Sequence, residues 1–386
     1  MLFTLEALDA NEGDCLLLLY GSAARPRVIV IDGGPRATCA DALLPRLLEL
    51  REALGHGHDA LPIELVVVSH VDSDHIGGVV AWTAELRAMQ GAEQLPFQIK
   101  ELWHNSFDDV IGASEVEGAV DFIDSLPTSE RAGLVASIGE GRTLRQDAEV
   151  LGIAVNAEFT GLVVRGDTGG AEVLCGDGLR LTVLGPARQQ LLDFQREWDA
   201  ARRAAKPAAG RVTAAQLDTS RPNLASITLL AESGGRTILL AGDARGDHLL
   251  EGLEVAGVLP PGGTMRVDVL KLPHHGSCRN VTTALLQRVL ADTYVISADG
   301  KHGNPDLETL ERLSAARAGA AYTVVCTFSE HAHLEVEGAQ SAAAERRAAL
   351  QAFHDWARRQ PAQVKIVHRP AEAYGVAIAL GDESLA

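Results

Sequence analysis

The sequence predicts an α/β (α+β) protein built as a four-layer αβ/βα sandwich. Apolar segments of strand length occur in two groups, over residues 2–104 and 180–297, and segments with helical spacing of apolar residues follow each group. Two sheets that each carry helices on one face can pack against each other through their other faces, which produces four layers. Several strand segments end in Asp or His, so we expect these side chains to converge at one edge of the two sheets.

Composition places the chain among globular, soluble proteins. It has 386 residues, of which 46% are hydrophobic and 22% charged, which suits a large core and not a disordered chain. No apolar run approaches the ~20 residues of a transmembrane helix, and the first residues show no basic region followed by an apolar one. We therefore expect neither a membrane partner nor a signal peptide. Five cysteines without a CxxC pair suit a reducing compartment, and we expect a cytoplasmic protein.

The charge balance argues against a nucleic-acid-binding surface that covers the whole protein. The formal charge is −18, from 34 basic and 52 acidic residues, and a negative surface repels phosphate groups. A basic segment between Arg196 and Arg221 is the exception. It is interpreted either as a track that faces the substrate or as the exposed face of a helix, and both interpretations stay open.

The first elements lead to a polar segment that follows a buried strand. A strand is expected over Val28–Ile31 and a helix over Ala40–Leu54. Leu65–Val68 is the next buried strand, and the segment Ser69–Gly78, SHVDSDHIGG, follows it. A helix is expected over Val79–Met89, because the two glycines before it would let the backbone turn.

Four side chains of metal-ligand type lie within six positions of this segment. They are two imidazoles and two carboxylates: His70, Asp72, Asp74 and His75. Buried ionisable groups are costly unless something neutralises them, and imidazole with carboxylate is a ligand set for Zn²⁺ or Mn²⁺. We therefore expect one or two divalent metal ions as cofactors. A polar surface loop is the plainer interpretation, and the close spacing argues against it.

The pattern HxDxDH followed by Gly-Gly resembles the metal motif of the metallo-β-lactamase superfamily, whose usual form is HxHxDH. With Asp72 in place of the second histidine, it is similar to the hydrolase domain of ComEC-type DNA-uptake proteins and their soluble stand-alone relatives. Further segments support the resemblance, which spans residues 1 to about 310: DANEGDCLLLL, VIVIDGG, NLASITLLAE with the following AGD, and LKLPHHGS. The resemblance implies the metallo-β-lactamase four-layer sandwich and a metal-dependent hydrolase.

The resemblance also implies roles for residues outside the segment SHVDSDHIGG. Asp32, at a strand end, would accept a hydrogen bond from a metal ligand and fix its orientation, and a simple Asp-Gly-Gly turn is the alternative interpretation. Asp243 would bridge two metal ions. ComEC-type domains lack the histidine of the superfamily's third motif, and this chain lacks it too. The first metal site is therefore one ligand short, and Asn223, Ser226 or water would fill the place.

The string LKLPHHGS supplies the last candidate ligand. Adjacent residues of an extended chain point in opposite directions, so we expect only one of His274 and His275 to bind metal. We favour His274 as the ligand and His275 as a proton donor or oxyanion contact. The candidate catalytic residues are His275 and, from the segment SHVDSDHIGG, Asp74. His302 is displaced by two positions from a Gly-His-Pro pattern of similar proteins. It is interpreted either as a substrate contact or as a residue that pins its loop.

The remaining segments complete a single domain over residues 1–386. A helical or irregular insert is expected at about 105–222, where it would shape the pocket mouth or a partner surface. A C-terminal α/β extension is expected at about 320–386. His104, at the end of the strand before the insert, is interpreted as a structural residue in preference to a ligand.

These features predict one favoured function and two alternatives. We expect a metal-dependent hydrolase in which a metal-activated water attacks a phosphodiester, in a nucleic acid or a nucleotide, because a carboxylate-rich site favours Mn²⁺ and this chemistry. One alternative is a carboxyl-ester, thioester or lactam hydrolase. The other is a metal-binding regulatory module without turnover. A protein partner that supplies the nucleic-acid contact is also compatible with the acidic surface.

Overall fold

The chain forms two packed sheets with helices on their outer faces. The computed structural model describes residues 1–57, 59–91, 95–106, 128–192, 225–338 and 340–385, with the backbone alone over 128–138. Within these residues there are two eight-stranded sheets. Helices pack on one face of each, so the layers run helix, sheet, sheet, helix. The predicted α/β sandwich is confirmed.

The first sheet combines the N-terminal strands with the last strand of the chain. Its strands are β1 (Leu2–Leu8), β2 (Leu16–Ser22), β3 (Arg25–Ile31), β4 (Leu61–Val68), β5 (Phe97–Ile99), β6 (Glu101–His104), β7 (Ala154–Val155) and β16 (Gly375–Ala379). Their order is β16-β1-β2-β3-β4-β6-β7, with β5 beside the start of β4. The pairs from β16 to β3 are antiparallel, and those from β3 to β7 are parallel.

The second sheet follows the order of the chain. Its strands are β8 (Ala171–Leu174), β9 (Arg180–Gly185), β10 (Thr228–Ser233), β11 (Arg236–Leu240), β12 (Met265–Lys271), β13 (Val289–Ile296), β14 (Tyr322–Cys326) and β15 (Val364–His368). The pairs from β8 to β11 are antiparallel, and those from β11 to β15 are parallel. The C-terminal segment is thus divided: β14 and β15 extend this sheet, whereas β16 returns to the first one.

The described helices divide between the two outer faces. They are α1 (Leu44–Ala53), α2 (Ser73–Ala88), α3 (Thr128–Leu151), α4 (Gly246–Val255), α5 (Thr283–Arg288), α6 (Leu307–Ala316), α7 (Ala332–Glu335) and α8 (Ser341–Arg358). Helices α1 to α3 cover the first sheet, and α4 to α8 cover the second. A turn of π-helix, Cys39–Leu43, leads into α1. None of the helices in the described ranges is long and apolar enough to cross a membrane.

Strand β4 shows how an apolar run suits a strand between two layers. Val66 and Val68 belong to the core under helices α1 to α3, whereas Leu65 and Val67 belong to the core between the sheets. Successive side chains of a strand face opposite sides, so a strand covered on both sides needs apolar residues at every position. Because this run ends at Val68, the polar segment that follows begins at the rim of the sheet.

Helix α2 begins earlier than the sequence predicted. It was expected to start after the two glycines, but it starts at Ser73 and includes them. A Cβ on Gly78 would lie 1.9 Å from the carbonyl oxygen of Gly33, so only glycine allows this approach of the helix to the loop after β3. The glycine serves close packing, not a turn. As a result, Asp74 and His75 lie on the first turn of the helix.

Several predictions concern residues outside the described ranges. They include Asn223 and the basic segment 196–221. Helix α3 and strands β7 to β9 lie within the predicted insert at 105–222, and their ranges do not test its boundaries.

Candidate metal centre

Both sheets contribute polar side chains at the edge where their parallel strands end. In the first sheet, β3 is followed by Asp32 and β4 leads into His70. In the second, β11 leads into Asp243 and β12 leads into His274 and His275. The carboxyl ends of strands in α/β sheets are where ligand-binding loops usually lie. Residues far apart in the chain therefore share one cluster.

The carboxylate of Asp243 lies at the centre of this cluster. Its Oδ1 is 3.2 Å from Nε2 of His75 and 3.7 Å from Nε2 of His275. Its Oδ2 is 3.7 Å from Nε2 of His70 and 3.6 Å from Nε2 of His274. Each carboxylate oxygen therefore faces a different pair of imidazoles.

Asp72 and Asp74 lie on the open side of the cluster. Asp74 Oδ2 is 3.6 Å from Nε2 of His275, and Asp72 Oδ2 is 3.6 Å from Nε2 of His70. Both aspartate side chains are 30% exposed, whereas that of Asp243 is only 3% exposed. Solvent therefore reaches the cluster from the side of the two motif aspartates, and Asp243 forms its floor.

Hydrogen bonds at the other ring nitrogen define the tautomers of His75 and His275. Nδ1 of His75 is 2.8 Å from Oδ2 of Asp32, and Nδ1 of His275 is 3.0 Å from the backbone carbonyl oxygen of Ser297. Carboxylate and carbonyl oxygens only accept hydrogen bonds, so each Nδ1 must carry the hydrogen. In a neutral imidazole, Nε2 then directs a lone pair toward Asp243.

His70 and His274 have the same tautomer. Asn280 donates its Nδ2–H to the backbone carbonyl of Asp243 over 2.8 Å, which turns its Oδ1 toward Nδ1 of His274 at 3.0 Å. The hydroxyl of Ser69 donates its hydrogen to Oδ2 of Asp32 at 2.7 Å. Its oxygen therefore accepts a hydrogen bond from Nδ1 of His70 at 3.0 Å. Both Nε2 atoms then direct lone pairs toward Asp243.

When the imidazoles are neutral, their lone pairs face carboxylate oxygens in the centre of the cluster. Nε2 of His70, His75 and His275 and Oδ1 of Asp243 are buried, and among the described residues they have no hydrogen-bond partner. Buried acceptors that face one another are costly unless a cation lies between them. A divalent ion accepts lone pairs from imidazole and carboxylate alike. The donor set therefore fits a metal ion.

Sequence reasoning missed two buried residues beside the cluster, Asp14 and Lys271. Oδ1 of Asp14 is 3.3 Å from Nδ1 of His275, and its Oδ2 is 2.7 Å from Nζ of Lys271. Asp14, His75, Asp243 and His275 each offer a ligand atom within 4.8 Å of the others, and all are buried, so this cluster could hold a metal ion. The lysine in the apolar strand β12 was the available signal, because a buried lysine needs a partner.

The electrostatics of the cluster favour positive charge. Burial lowers the pKa of His275, but the carboxylates of Asp243, Asp14 and Asp74 outweigh it and raise the pKa to about 10. Burial raises the pKa of Asp243, yet the imidazoles of His75 and His275 outweigh it and hold the pKa well below the usual range. The same field that attracts a proton to His275 attracts metal cations.

Comparison with known proteins leaves the chain without an assigned family. No family model matches the sequence, and no curated protein matches it. Among solved structures, one match is a "putative metal-dependent hydrolase" from Parabacteroides distasonis ATCC 8503. The match covers 83% of this chain and 97% of that chain, at 10% identity and a TM-score of 0.32. A likeness this distant assigns neither a fold nor a function.

His274 and His275 both turn toward Asp243 because their backbone is left-handed. Their φ angles are 48° and 56°, and the chain after β12 bends through a short turn, Pro273–Gly276. The premise that these residues lie on an extended chain was therefore wrong. Left-handed backbone in a residue other than glycine costs about 1–3 kcal/mol, and such strain is concentrated at functional sites.

Asp32 connects the strand ends of the first sheet to the cluster. Its Oδ1 accepts a hydrogen bond from the backbone N–H of Ser69 at 2.7 Å, and its Oδ2 accepts from Nδ1–H of His75. The carboxylate is buried and therefore holds these groups without competition from water.

The other predicted site residues differ in how closely they approach the cluster. Ser226 is buried, and its hydroxyl has no hydrogen-bond partner in the part of the chain described here. Its Cβ lies 3.4 Å from the position that a Cβ on Gly242, the residue before Asp243, would take. His302 is exposed, and it is not among the described ion-pair partners of Asp243. His104 is buried at the end of β6, beside Val68 of β4.

Proposed function

We propose that this protein is a metal-dependent hydrolase with two divalent cations around Asp243. The observation that carries the proposal is the direction of four imidazole Nε2 atoms toward the two oxygens of one carboxylate. The resemblance of SHVDSDHIGG and LKLPHHGS to motifs of metallo-β-lactamase superfamily hydrolases supports the same chemistry.

The proposed ligands divide between the two oxygens of Asp243. The ion on Oδ1 would be held by His75, His275 and Asp74, and the ion on Oδ2 by His70, His274 and Asp72. Three protein ligands and a shared carboxylate leave room for water or substrate on each ion. In this division both histidines of the HHGS string are ligands, one for each ion.

The same division proposes what replaces the histidine of the third motif. Asn223, Ser226 or water was expected to fill that place. Nε2 of His274 lies 3.6 Å from Oδ2 of Asp243, the oxygen that also faces His70, and its ring is 29% exposed. We therefore assign His274 to this place, which completes the set of ligands on the open side.

The charge of the cluster supports two ions. Its carboxylates belong to Asp14, Asp32, Asp72, Asp74 and Asp243, and its only ammonium group among the described residues is that of Lys271. Imidazoles that bind a metal ion are neutral, so in the metal-bound state five carboxylates and one ammonium leave four negative charges. Two divalent cations balance that charge, and buried charges need such a balance.

The side chains around the cluster would perform distinct tasks in hydrolysis. A bound divalent cation supplies Lewis acidity, which lowers the pKa of water and stabilises negative charge on the reacting group. Burial raises the pKa of Asp74, but the imidazoles of His275 and His75 lower it to about 2, so its carboxylate is ionised at neutral pH and can orient the attacking water. His275 is proposed as a ligand and not as a proton donor, because its N–H is already donated to Ser297.

We further propose a phosphodiester as the substrate. Asp72 and Asp74 make the ligand set rich in carboxylates, which favours Mn²⁺ over Zn²⁺ and suits transfer at phosphorus. The formal charge of −18 disfavours unassisted binding of long nucleic acids. A nucleotide, or a nucleic acid presented by a protein partner, therefore fits this chain better.

Metal analysis combined with a substrate panel tests the proposal. We expect the purified protein to bind two equivalents of Mn²⁺ or Zn²⁺ and to hydrolyse bis-p-nitrophenyl phosphate faster than nitrocefin or thioesters. Faster turnover of nitrocefin or thioesters would favour the carboxyl-directed alternative. Stoichiometric metal without any turnover would favour the regulatory module. A protein that binds no divalent metal would overturn the proposal as a whole.

Two alanine variants test the ligand assignment through catalysis. Asp74→Ala and Asp243→Ala should each reduce hydrolysis to background with an unchanged circular dichroism spectrum. Asp292→Ala is the matched control, because that carboxylate is 59% exposed and pairs only with the exposed Arg266 among the described ion pairs. Full activity in either cluster variant would refute the assignment.

A further inference from the structure

We propose that Asp14 and Lys271 form an ion pair between the two sheets that positions His275 for metal binding. The proposal rests on the proposed function, because it concerns the same metal centre. Neither residue is among the proposed metal ligands, and each of the two side chains is only 1% exposed.

The ion pair joins a loop of the first sheet to the end of a strand of the second. Asp14 lies between β1 and β2 of the first sheet, whereas Lys271 is the last residue of β12 in the second. Nζ of Lys271 is 2.7 Å from Oδ2 of Asp14 and also donates to the backbone carbonyl of Leu272 at 3.0 Å. Removing an ion pair from water is costly, and one known use of such pairs is to select one arrangement of the chain.

The other oxygen of Asp14 contacts His275 at Nδ1, the ring nitrogen that faces away from Asp243. Oδ1 of Asp14 is 3.3 Å from Nδ1 of His275, and the same Nδ1–H donates to the carbonyl of Ser297 at 3.0 Å. A carboxylate behind a ligating imidazole fixes the ring plane and raises the basicity of the opposite nitrogen. Because its two oxygens face Lys271 and Nδ1, we assign Asp14 a positioning role.

The turn that carries Asp14 is also bonded to ligand segments of both sheets. The N–H of Asp14 donates to the carbonyl of Asp74 at 3.2 Å, on the first-sheet side. On the second-sheet side, the hydroxyl of Ser297 donates to the carbonyl of Gly13 at 2.6 Å. Each proposed ligand set combines residues of both sheets, so contacts that cross between the sheets set the spacing of its members. Asp14 and Lys271 supply the buried charged contact of this kind.

A variant that removes both charges tests the positioning role. Asp14→Asn combined with Lys271→Met keeps the size of both side chains and the net charge of the site, so the general attraction for cations is unchanged. The probe is Co²⁺, titrated into the full-length protein after chelation, with affinity from calorimetry and the visible spectrum of the bound ion. We expect two Co²⁺ in wild type, and in the double variant two Co²⁺ with affinity for one of them reduced about 10–100-fold and an altered spectrum.

Two outcomes in the double variant would overturn the positioning role of Asp14, one because Asp14 has no role and the other because it coordinates metal directly. Wild-type affinity and spectrum in the double variant would overturn the proposal. Loss of one Co²⁺ at all concentrations would make Asp14 a ligand and would also overturn it. Asp14→Asn alone should bind Co²⁺ more weakly than the double variant, because it leaves the Lys271 ammonium without its counter-charge beside the cations.

A matched control distinguishes lost positioning from lost stability. Arg165→Met with Glu251→Gln also removes an ion pair without changing net charge, and Arg165 is only 7% exposed. This control should lower the unfolding temperature and leave Co²⁺ binding unchanged. If the cluster double variant does not fold, Asp14→Asn alone replaces it, because it removes the carboxylate that contacts both Lys271 and His275. Unchanged Co²⁺ affinity in Asp14→Asn would then overturn the proposal.

The same titration keeps the two proposals apart. A wild-type protein that binds no Co²⁺ would overturn both the positioning role and the proposed function. A wild-type protein that binds two Co²⁺ but hydrolyses no substrate of the panel would refute the hydrolase function. The Co²⁺ titrations of the variants would still decide the positioning role.

Discussion

His274 and His275 are neighbours in the chain, yet they face opposite oxygens of the same carboxylate. Nε2 of His274 is 3.6 Å from Oδ2 of Asp243, and Nε2 of His275 is 3.7 Å from its Oδ1. Their rings are nearly perpendicular, with an interplanar angle of 86°. Left-handed backbone at both positions makes this possible, and in the proposed ligand division this dipeptide serves two ions.

The first prediction separates these two histidines. His274→Ala and His275→Ala should each reduce bound Co²⁺ from two equivalents to one, because each ring serves a different oxygen of Asp243. The measurement is metal content after dialysis together with the visible spectrum, which should differ between the two variants. His302→Ala, which changes an exposed histidine, should retain both ions. Two tightly bound ions in His274→Ala would show that this residue is not a ligand.

The second prediction concerns the orientation of His75 by Asp32. In Asp32→Asn, metal affinity should fall about 10–100-fold, the usual effect of losing a group that orients a ligand. The reason is that Asp32 accepts from the Ser69 N–H, the Ser69 hydroxyl and His75, whereas an amide has a single oxygen acceptor.

Calorimetric titration with Co²⁺ measures this loss. Asp41→Asn is the control, since it makes the same chemical change at an exposed position. A Co²⁺ affinity in Asp32→Asn equal to that of the control would remove the orienting role of Asp32.

The third prediction concerns metal removal and stability. Ions that bind only the folded chain stabilise it, by about 2.7 kcal/mol for one site when free metal is at 100 times Kd. Thermal unfolding should therefore occur at a temperature several degrees lower in EDTA than in excess Mn²⁺. The unfolding temperature of Asp243→Ala should differ little between EDTA and excess Mn²⁺. Identical unfolding temperatures of the wild type in both conditions would contradict a metal centre shared by the two sheets.

The fourth prediction tests the packing that places the first ligand motif. Gly78→Ala should lower the free energy of unfolding by about 1–3 kcal/mol, because its Cβ would lie 1.9 Å from the carbonyl oxygen of Gly33. Urea denaturation measures the change. Gly139→Ala is the matched control: this glycine also lies in a helix, and nothing lies within 4 Å of a Cβ placed there.

The control should move stability in the opposite direction. Alanine replaces glycine in a helix with a gain of up to about 1 kcal/mol when no clash occurs. Equal stability changes in the two variants would mean that Gly78 is not needed for close packing of α2.

Local sequence patterns determined the order of the elements and the kinds of side chain at the candidate site. The run Leu65–Val68 predicted a buried strand, and the structure places it in β4, between two apolar cores. The helix predicted over Ala40–Leu54 corresponds to the π-helical turn Cys39–Leu43 followed by α1, Leu44–Ala53. Such patterns arise from the periods of strands and helices, so neighbouring residues are enough to reveal them.

Only the tertiary structure decided which atoms face each other at the centre of the cluster. The left-handed turn at His274 and His275, the partnership of Asp14 with Lys271, and the close approach of Gly78 to Gly33 were all absent from the sequence-based prediction. Each depends on contacts between segments that are distant in the chain or belong to different sheets. Local periodicity carries no information on such contacts, because their geometry exists only after the layers have packed together.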